Sequence, residues 1–250
     1  MKWVSLVALS GMSLAAGCSL FSGGDKGCSV EGTCAAPATC AKAAILPSVH
    51  PDSRNWRPLF NLDLGNTVHT KGVWFINEKG DLTANKDESI WTDRDYENFT
   101  LDLEYMCDPA ANSGVLIYCS DLMNWIPSTV EIQILDDNNP HWAKEQPFAK
   151  NGGLYGHLAP KVNNVKPAGE WNRMTVTARG KKIKVIVNEE TTVDTDLSQW
   201  TSGKKNPDGT DIPPWLSSPW AEIPTKGRIG LQGKHGNAAI YFRNLRIKED

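Results

Sequence analysis

The chain has 250 residues, of which 40% are hydrophobic and 22% charged, and its formal net charge is −3. This composition excludes a wholly disordered chain, a collagen and a coiled coil. The mildly acidic balance also argues against a nucleic-acid-binding protein, which needs clustered Lys and Arg. The length suits one large domain, because all-β sandwiches often reach this size as a single unit.

The N-terminus has the pattern of a secretory signal. Lys2 precedes an apolar run from Trp3 to Ala16, and Gly17 and Cys18 follow. This order is similar to the bacterial lipoprotein box, in which the Cys is lipidated and becomes the mature N-terminus. We expect residues 1–17 to be a signal peptide and acyl chains on Cys18 to tether the protein in the bacterial cell envelope, facing the periplasm or the exterior. A plain secreted protein with an ordinary thiol at this Cys is the alternative.

Residues 18–55 are predicted to form a flexible spacer. They are rich in Gly, Ser, Ala and Pro and cannot bury enough apolar surface to offset their ordering entropy. The segment carries Cys28, Cys34 and Cys40, at a spacing that is not a usual zinc pattern. In an oxidising compartment one pair can close a disulfide loop, but the odd number leaves the pairing open.

Residues 56–250 alternate apolar and polar side chains with a period of two, which is typical of antiparallel strands covered on one face. Gly, Asn, Asp and Pro interrupt the runs at short intervals, and no stretch is a convincing amphipathic helix. We therefore predict an all-β domain of two antiparallel sheets packed as a jelly-roll sandwich. The stretch 197–224, rich in Trp and Pro, is predicted to be a long loop. The clearest alternating runs are Phe99–Tyr105, Val130–Ile134, Met174–Ala178 and Ile183–Val187.

Cys107 and Cys119 flank a predicted turn at Asp108–Asn112. In a tight hairpin Cys107 would face a residue near Val115, and Cys119 would lie about 13 Å further along the strand. A disulfide needs Cα atoms within about 7 Å. Either the loop is wider than a hairpin turn, or these two cysteines do not bond to each other.

Polar residues on two predicted strands suggest a site. Glu131 and Gln133 point the same way, and a bulge near Leu135 would bring Asp136 onto that face as well. Gln232 points away from the core of its own strand, and His235 follows in a Gly-rich turn where it could act as a base, an acid or a metal ligand. Carboxylates and amides on one sheet face can bind sugar hydroxyls and move a proton, although a merely solvated face has the same pattern.

Aromatic side chains in loops could stack on sugar rings. Those in Pro-flanked or loop-like contexts are Trp125, Trp142, Trp215 and Trp220. His157, in the pair Gly156-His157, is a weaker candidate than His235.

The ordered set of sequence strings resembles the 3-keto-disaccharide hydrolase family, long catalogued as a domain of unknown function. The resemblance covers about Trp56 to Lys248 and implies a concanavalin- or laminin-G-like jelly roll, often secreted or lipidated. The strings that carry it are Trp91-Thr92, Tyr96–Leu101, Asn112–Leu116, Glu131–Asp136, Gly153–Gly156, Gly169–Asn172, Gly227–Gln232 with His235-Gly236, and Phe242–Ile247.

The resemblance implies cleavage of glycosides whose sugar is already a ketone at carbon 3. That ketone acidifies the hydrogen on carbon 2, so a base can remove it, the glycosidic oxygen leaves carbon 1, and water adds afterwards. His235 or Glu131 is the expected base, and Asp136 is expected to orient His235 or to help hold a cation. No cofactor is assigned from the sequence, which leaves open whether a divalent metal takes part. The expected substrate contacts are Gln133, Gln232, Asn112, Tyr155, His157, Trp125 and Trp142.

Two other functions fit the sequence. The motif Glu131-x-Gln133-x-x-Asp136 is similar to the strand motif of laminarinase-type glycosidases, but Gln replaces the middle acid and the last acid is one carbon shorter, which weakens two-carboxylate catalysis. A carbohydrate-binding module without catalysis is the other alternative, since fold does not determine function.

Overall fold

The computed structural model describes residues 49–250, and this part of the chain contains no α-helix. The predicted signal peptide, the lipidation site Cys18 and the cysteines 28, 34 and 40 lie outside the described residues. The strands are β1 Arg57–Pro58, β2 Thr67–Val68, β3 Trp74–Ile76, β4 Leu82–Ala84, β5 Ile90–Thr92, β6 Tyr96–Glu97, β7 Phe99–Cys107, β8 Asn112–Cys119, β9 Val130–Leu135, β10 Trp171–Arg179, β11 Lys182–Val187, β12 Glu190–Asp196, β13 Lys226–Leu231 and β14 Ile240–Glu249. Short 3-10 turns lie at Ile126–Ser128, Pro140–Trp142, Pro147–Ala149 and Leu197–Gln199.

The strands form two antiparallel sheets. The larger has eight strands in the order β12-β11-β10-β7-β14-β4-β3, with β1 paired to β14. The smaller has six strands in the order β2-β5-β13-β8-β9, with β6 paired to β13. The predicted two-sheet, all-β architecture is therefore confirmed.

The core lies between the two sheets because the alternating apolar residues of both point inward. Leu101 and Leu103 of β7 and Val176 of β10 are buried from one side, and Ile132 of β9 and Ile229 of β13 from the other; all belong to one continuous hydrophobic cluster. Side chains between these positions face outward. The two outer faces are thus where polar residues of the strands collect.

The predicted hairpin between Cys107 and Cys119 is wrong. Strand β7 pairs with β10 and β14 in the large sheet, whereas β8 pairs with β13 and β9 in the small one, so the turn crosses from one sheet to the other. Both cysteines are buried and free. Burial raises the pKa of the Cys107 thiol to about 12, with nearby carboxylates such as Asp136 adding to the shift.

Polar side chains on the outer face of the large sheet hydrogen-bond to one another. Asp102, only 2% exposed, accepts hydrogen bonds from Arg173 Nε at 2.9 Å and Thr175 Oγ1 at 2.8 Å, and also from the hydroxyl of buried Ser53. Beside it, Glu104 accepts from Arg243 Nε at 2.8 Å. These carboxylates are therefore engaged in hydrogen bonds that stabilise the fold.

Candidate functional site

The outer face of the small sheet contains an open space, because glycines stand where neighbouring strands carry side chains. Gly114 lies opposite Gln133 in the β8–β9 register, and a Cβ added to it would collide with Glu131 Oε1. Gly230 of β13 lies under the ring of Trp91, which a Cβ would also strike. The glycines therefore make the room that the polar side chains occupy.

One wall comes from the loop after β8. Trp125 packs edge-on against Trp91, with ring centroids 5.9 Å apart, over a small cluster that includes Leu116 and Cys119. This cluster is on the outer face, separate from the main core. It fixes the indole of Trp125 at the rim of the open space.

The opposite wall comes from the predicted long loop 197–224. The ring of Trp220 stacks on His157 with centroids 3.5 Å apart, and Trp200 packs against both. Trp200 Nε1 donates to Asn206 Oδ1 at 2.8 Å, and the Asn206 amide donates to the Gly156 carbonyl at 3.3 Å. These contacts hold the loop against Gly156 and His157, in the segment that follows β9.

The cavity between the walls has a volume of about 280 Å³, just below the usual size range of small-molecule sites. It brings together residues that are far apart in the chain, among them four that the sequence analysis placed at a single site. Its lining residues are Asn112, Trp125, Ile126, Thr129, Glu131, Gln133, Tyr155, Trp215, Leu216, Trp220, Gln232 and His235.

Glu131 has an unusual electrostatic setting. Within residues 49–250, its carboxyl group receives no hydrogen bond from the protein. Burial raises its pKa to about 8, and the negative charge of Asp87 adds to the shift. Glu131 is therefore mostly protonated at neutral pH and can donate a hydrogen bond or a proton. Burial, with the charge of Glu131 as a further cause, also raises the pKa of Tyr155 beside it.

His235 is paired with a carboxylate. Its Nδ1 lies 2.7 Å from Asp87 Oδ2, and both side chains are about half exposed. A carboxylate can only accept, so Nδ1 carries a proton, and in the neutral form of the ring Nε2 has the free lone pair. The glycine turn makes this pairing possible, because a Cβ at Gly233 would collide with the carbonyl oxygen of Lys86.

Amides complete the polar floor. Gln133 Nε2 donates to Asn112 Oδ1 at 2.8 Å, which fixes both side chains. Gln232 is anchored through its backbone, whose N–H donates to the Gly114 carbonyl at 2.9 Å. The backbone of Tyr155 donates to the Glu131 carbonyl at 3.0 Å, so the segment after β9 runs along the free edge of that strand.

The predicted position of Asp136 is wrong. The β8–β9 register runs without a shift from Ile117–Val130 to Asn112–Leu135, so there is no bulge at Leu135. Asp136 is buried outside the cavity, and its Oδ2 accepts from the backbone N–H of Ala110 at 2.9 Å. The carboxylate that orients His235 is Asp87 instead. Its sequence context, a charged run before β5, is indistinguishable from an ordinary solvated loop.

Two other predicted contacts lie outside the cavity. His157 is buried behind Trp220, with Nδ1 donating to the Tyr155 carbonyl at 2.9 Å and Nε2 without a partner. Burial lowers its pKa to about 4. Trp142 lies beside the glycine turn, its ring 3.9 Å from where a Cβ on Gly236 would be. The predicted Asn112, Trp125 and Tyr155 do line the cavity.

Within the described residues, no group of three or more His, Cys, Asp and Glu side chains is arranged to hold a metal ion. In the same part of the chain, none of the helices has the length and apolarity needed to cross a bilayer.

The fold and the cavity define a jelly-roll protein with a polar recess on the outer face of one sheet. The chain belongs to the family of 3-keto-alpha-glucoside-1,2-lyase-like domains, whose profile matches residues 55–248. The family resemblance found in the sequence is thus confirmed.

Individual relatives agree with this membership. A 3-keto-disaccharide hydrolase of Bacteroides thetaiotaomicron is 26% identical over 173 residues, which are 61% of this chain and 59% of that protein. The match therefore spans less than two thirds of that relative's length. A Parabacteroides distasonis protein proposed to be a glycosyl hydrolase is 50% identical in its crystal structure, with a TM-score of 0.76, covering 78% of this chain and 99% of that one.

A more distant structure shows the fold alone. A Bacillus subtilis protein of unknown function with a galectin-like fold is 11% identical, with a TM-score of 0.51 over 79% of this chain and 96% of that one.

Proposed function

We propose that this protein cleaves 3-keto-glycosides by removing the hydrogen on carbon 2, eliminating the glycosidic oxygen and hydrating the product. The observation that carries the proposal is the convergence of Glu131, Gln133, Gln232 and His235 in one cavity, with His235 held by Asp87. Family membership and the named activity of the Bacteroides relative support the same reaction class.

His235 is the proposed base. Its Nδ1–H is engaged by Asp87, so Nε2 is the nitrogen that can accept the proton from carbon 2. The electron pair of that C–H bond moves toward the ketone oxygen and then expels the glycosidic oxygen from carbon 1. The imidazolium returns the proton to the leaving oxygen, and water then adds across the new double bond. The sum is one glycoside plus one water giving a 3-keto sugar and an alcohol.

Glu131 is the proposed partner of the enolate oxygen. With a pKa of about 8 it is protonated at neutral pH, and a neutral carboxyl group can donate to a developing oxyanion. Of the two bases expected from the sequence, we therefore propose His235 and not Glu131. The amides of Gln133, Gln232 and Asn112 are suited to the sugar hydroxyls, and Trp125 to an apolar face of the ring.

The laminarinase-type alternative receives less support. A retaining glycosidase needs two carboxyl groups about 5–5.5 Å apart. In the strand motif Glu131–Asp136, Glu131 is the one acid that lines the cavity. Gln133 is an amide, and Asp136 lies outside the cavity and accepts a hydrogen bond from the backbone N–H of Ala110.

The decisive experiment is turnover of a 4-nitrophenyl 3-keto-glucoside against the matched unoxidised glucoside, with an enzyme-free blank and with and without chelator. We expect nitrophenol release above the blank from the ketone alone. Full retention of activity by both Glu131→Gln and His235→Ala would remove the residue assignment. Turnover of an unoxidised β-glucan would favour the laminarinase-type alternative, and binding of glycans without turnover would favour a binding module. Loss of activity with chelator would assign a divalent metal.

We also propose that Cys18 is lipidated and that the domain acts outside the cytoplasm. The support is the apolar run, small residues and Cys in lipoprotein order. Mass spectrometry of the protein from its native membrane should show an acylated Cys18 at the N-terminus. An unmodified N-terminus upstream of Cys18 contradicts the proposal.

A further inference from the structure

The cavity contains one more side chain that can give up a proton. Among the residues that line it in the described part of the chain, the groups able to act as an acid or a base are Glu131, Tyr155 and His235. In the proposed reaction His235 acts at carbon 2 and Glu131 at the ketone oxygen. The oxygen that leaves carbon 1 also needs an acid close by, because an alkoxide is a poor leaving group. Tyr155 is the group that remains for this task.

The ring of Tyr155 is held in place by its surroundings. Its backbone N–H donates to the Glu131 carbonyl at 3.0 Å, and its own carbonyl accepts from His157 Nδ1 at 2.9 Å. The ring packs edge-on against Phe148, with centroids 6.3 Å apart and planes at 89°. The phenol therefore has a fixed position relative to β9.

The hydroxyl of Tyr155 has a proton to donate. It forms a hydrogen bond with the indole of Trp215, and an indole N–H can only donate, so the phenolic oxygen is the acceptor. Within residues 49–250, no protein group accepts the hydroxyl proton. Burial raises the pKa of Tyr155, the charges of Glu131 and Glu145 add to the rise, and the bond from Trp215 partly offsets it. The phenol is thus protonated at neutral pH, and its O–H is available to a bound ligand.

Tyr155 and His235 enter the cavity from diagonally opposite corners. His235 pairs with Asn112 at the start of β8. Tyr155 lies along the free edge of β9 at Glu131, which is four residues from Asn112 in the β8–β9 register. Three strand spacings, about 14 Å, separate the two backbones across the sheet, and about 13 Å separates them along it. Gly114 is midway along this stretch of β8, so a sugar ring bound above it would lie between the imidazole and the phenol.

We propose that Tyr155 is the general acid that protonates the leaving oxygen of the glycoside. The proposal rests on the proposed function for the cleavage of the keto-sugar bond. As the bond from carbon 1 breaks, its electron pair stays on the glycosidic oxygen, which takes the proton of the Tyr155 O–H bond. The tyrosinate then recovers a proton from the His235 imidazolium through a water molecule. The net transfer is still from carbon 2 to the leaving oxygen, and both side chains return to their starting states.

The test compares two substrates that share one 3-keto-glucosyl unit and differ in the leaving group. Methanol departs poorly unless it is protonated, whereas 4-nitrophenol departs readily as an anion. Tyr155→Phe removes the hydroxyl and keeps the ring against Phe148. We expect its kcat to fall about 10²-fold for release of methanol and no more than about threefold for release of 4-nitrophenol.

The matched control is Tyr241→Phe. Tyr241 is a partly buried tyrosine on β14 of the large sheet, outside the cavity, and its variant should release both alcohols at the wild-type rate. Release of 4-nitrophenol by Tyr155→Phe also reports that this variant is folded. A loss of the same size with both substrates would assign a structural or binding role to Tyr155 and overturn the proposal, as would unchanged release of methanol.

A series of aryl 3-keto-glucosides with phenols of decreasing acidity sharpens the test. We expect kcat to decline steeply along the series in Tyr155→Phe and only weakly in wild type, because the acid compensates for a poor leaving group. The same slope in both proteins would contradict the proposal. If wild type cleaves none of these substrates, the proposed function fails and the role of Tyr155 falls with it. If wild type cleaves them and the slopes agree, the role of Tyr155 alone is removed.

Discussion

The two outer faces of the sandwich carry polar side chains in the same alternating pattern but use them differently. On the large sheet the buried carboxylate of Asp102 accepts hydrogen bonds from Arg173, Thr175 and Ser53. On the small sheet Glu131 has no donor in the described protein and lies over Gly114. The outer face of a strand thus offers a binding site where a glycine leaves space and a polar side chain keeps a donor or an acceptor without a protein partner.

The largest effect is expected from His235→Ala, which removes the proposed base from the open face. We expect kcat/KM on a 3-keto-glucoside to fall about 10³-fold, equivalent to about 4 kcal/mol of transition-state stabilisation. His69→Ala, a surface-loop histidine outside the cavity, is the control and should leave kcat/KM unchanged. Near wild-type activity in His235→Ala would mean that His235 is not the base.

Asp102→Ala removes the hydrogen-bonded carboxylate on the outer face of the large sheet. It leaves Arg173 without its main carboxylate partner and Ser53 and Thr175 without their acceptor. We expect the free energy of unfolding to fall by about 3 kcal/mol in urea titration. The kcat/KM of the folded variant should match wild type, because this face is remote from the cavity. A loss of activity without a loss of stability would mean that Asp102 serves activity and does not stabilise the fold, so the two outer faces would not differ in role.

Asp87→Asn keeps the size of the side chain but can donate to His235 Nδ1, which would leave the proton on Nε2. Because the wrong nitrogen is then protonated, we expect kcat to fall about 10²-fold with little change in KM. Steady-state kinetics on a 3-keto-glucoside measures both, and Asp93→Asn offers a control in another exposed acidic loop position. An unchanged kcat would exclude Asp87 as the residue that orients the base.

His157→Phe tests the buried wall behind the cavity. In the folded protein its pKa is about 4, below the unfolded value of 6.5, so the unfolded state binds the proton first as pH falls. Wild type should therefore lose about 2 kcal/mol of stability between pH 7.5 and pH 5, with the loss ending near pH 4. The variant should lose less by about that amount. Equal pH dependence of urea unfolding in both proteins would contradict the buried neutral histidine.

Glu131→Gln is expected to have the smallest effect, because an amide still donates to the enolate oxygen. We expect about a tenfold lower kcat/KM near neutral pH. In wild type, kcat/KM should fall as pH rises above about 8, since the protonated carboxyl group is lost there. The variant has no such group, so its profile should stay flat through this range. An alkaline limb that persists in the variant would belong to another group.

The sequence predicted the architecture and much of the site, for definable reasons. Alternation of period two reveals strands and their outward faces, so Glu131, Gln133 and Gln232 were recognisable. Turn glycines marked His235. Asp87 was missed because the partner of a loop histidine is set by which strands become neighbours, here β5 beside β13. The pattern around Cys107 predicted a hairpin because alternation does not say which sheet the next strand joins.

The bond between His235 and Asp87 joins positions 148 residues apart in the chain. Contacts of such long range form late and slowly during folding, because a large loop must close before they reward the chain. Every strand except β14 precedes His235, so a nascent chain cannot assemble the pair until nearly all of the sandwich has been made. The proposed base therefore acquires its Asp87 partner only at the end of folding, when nearly all of the sandwich is in place.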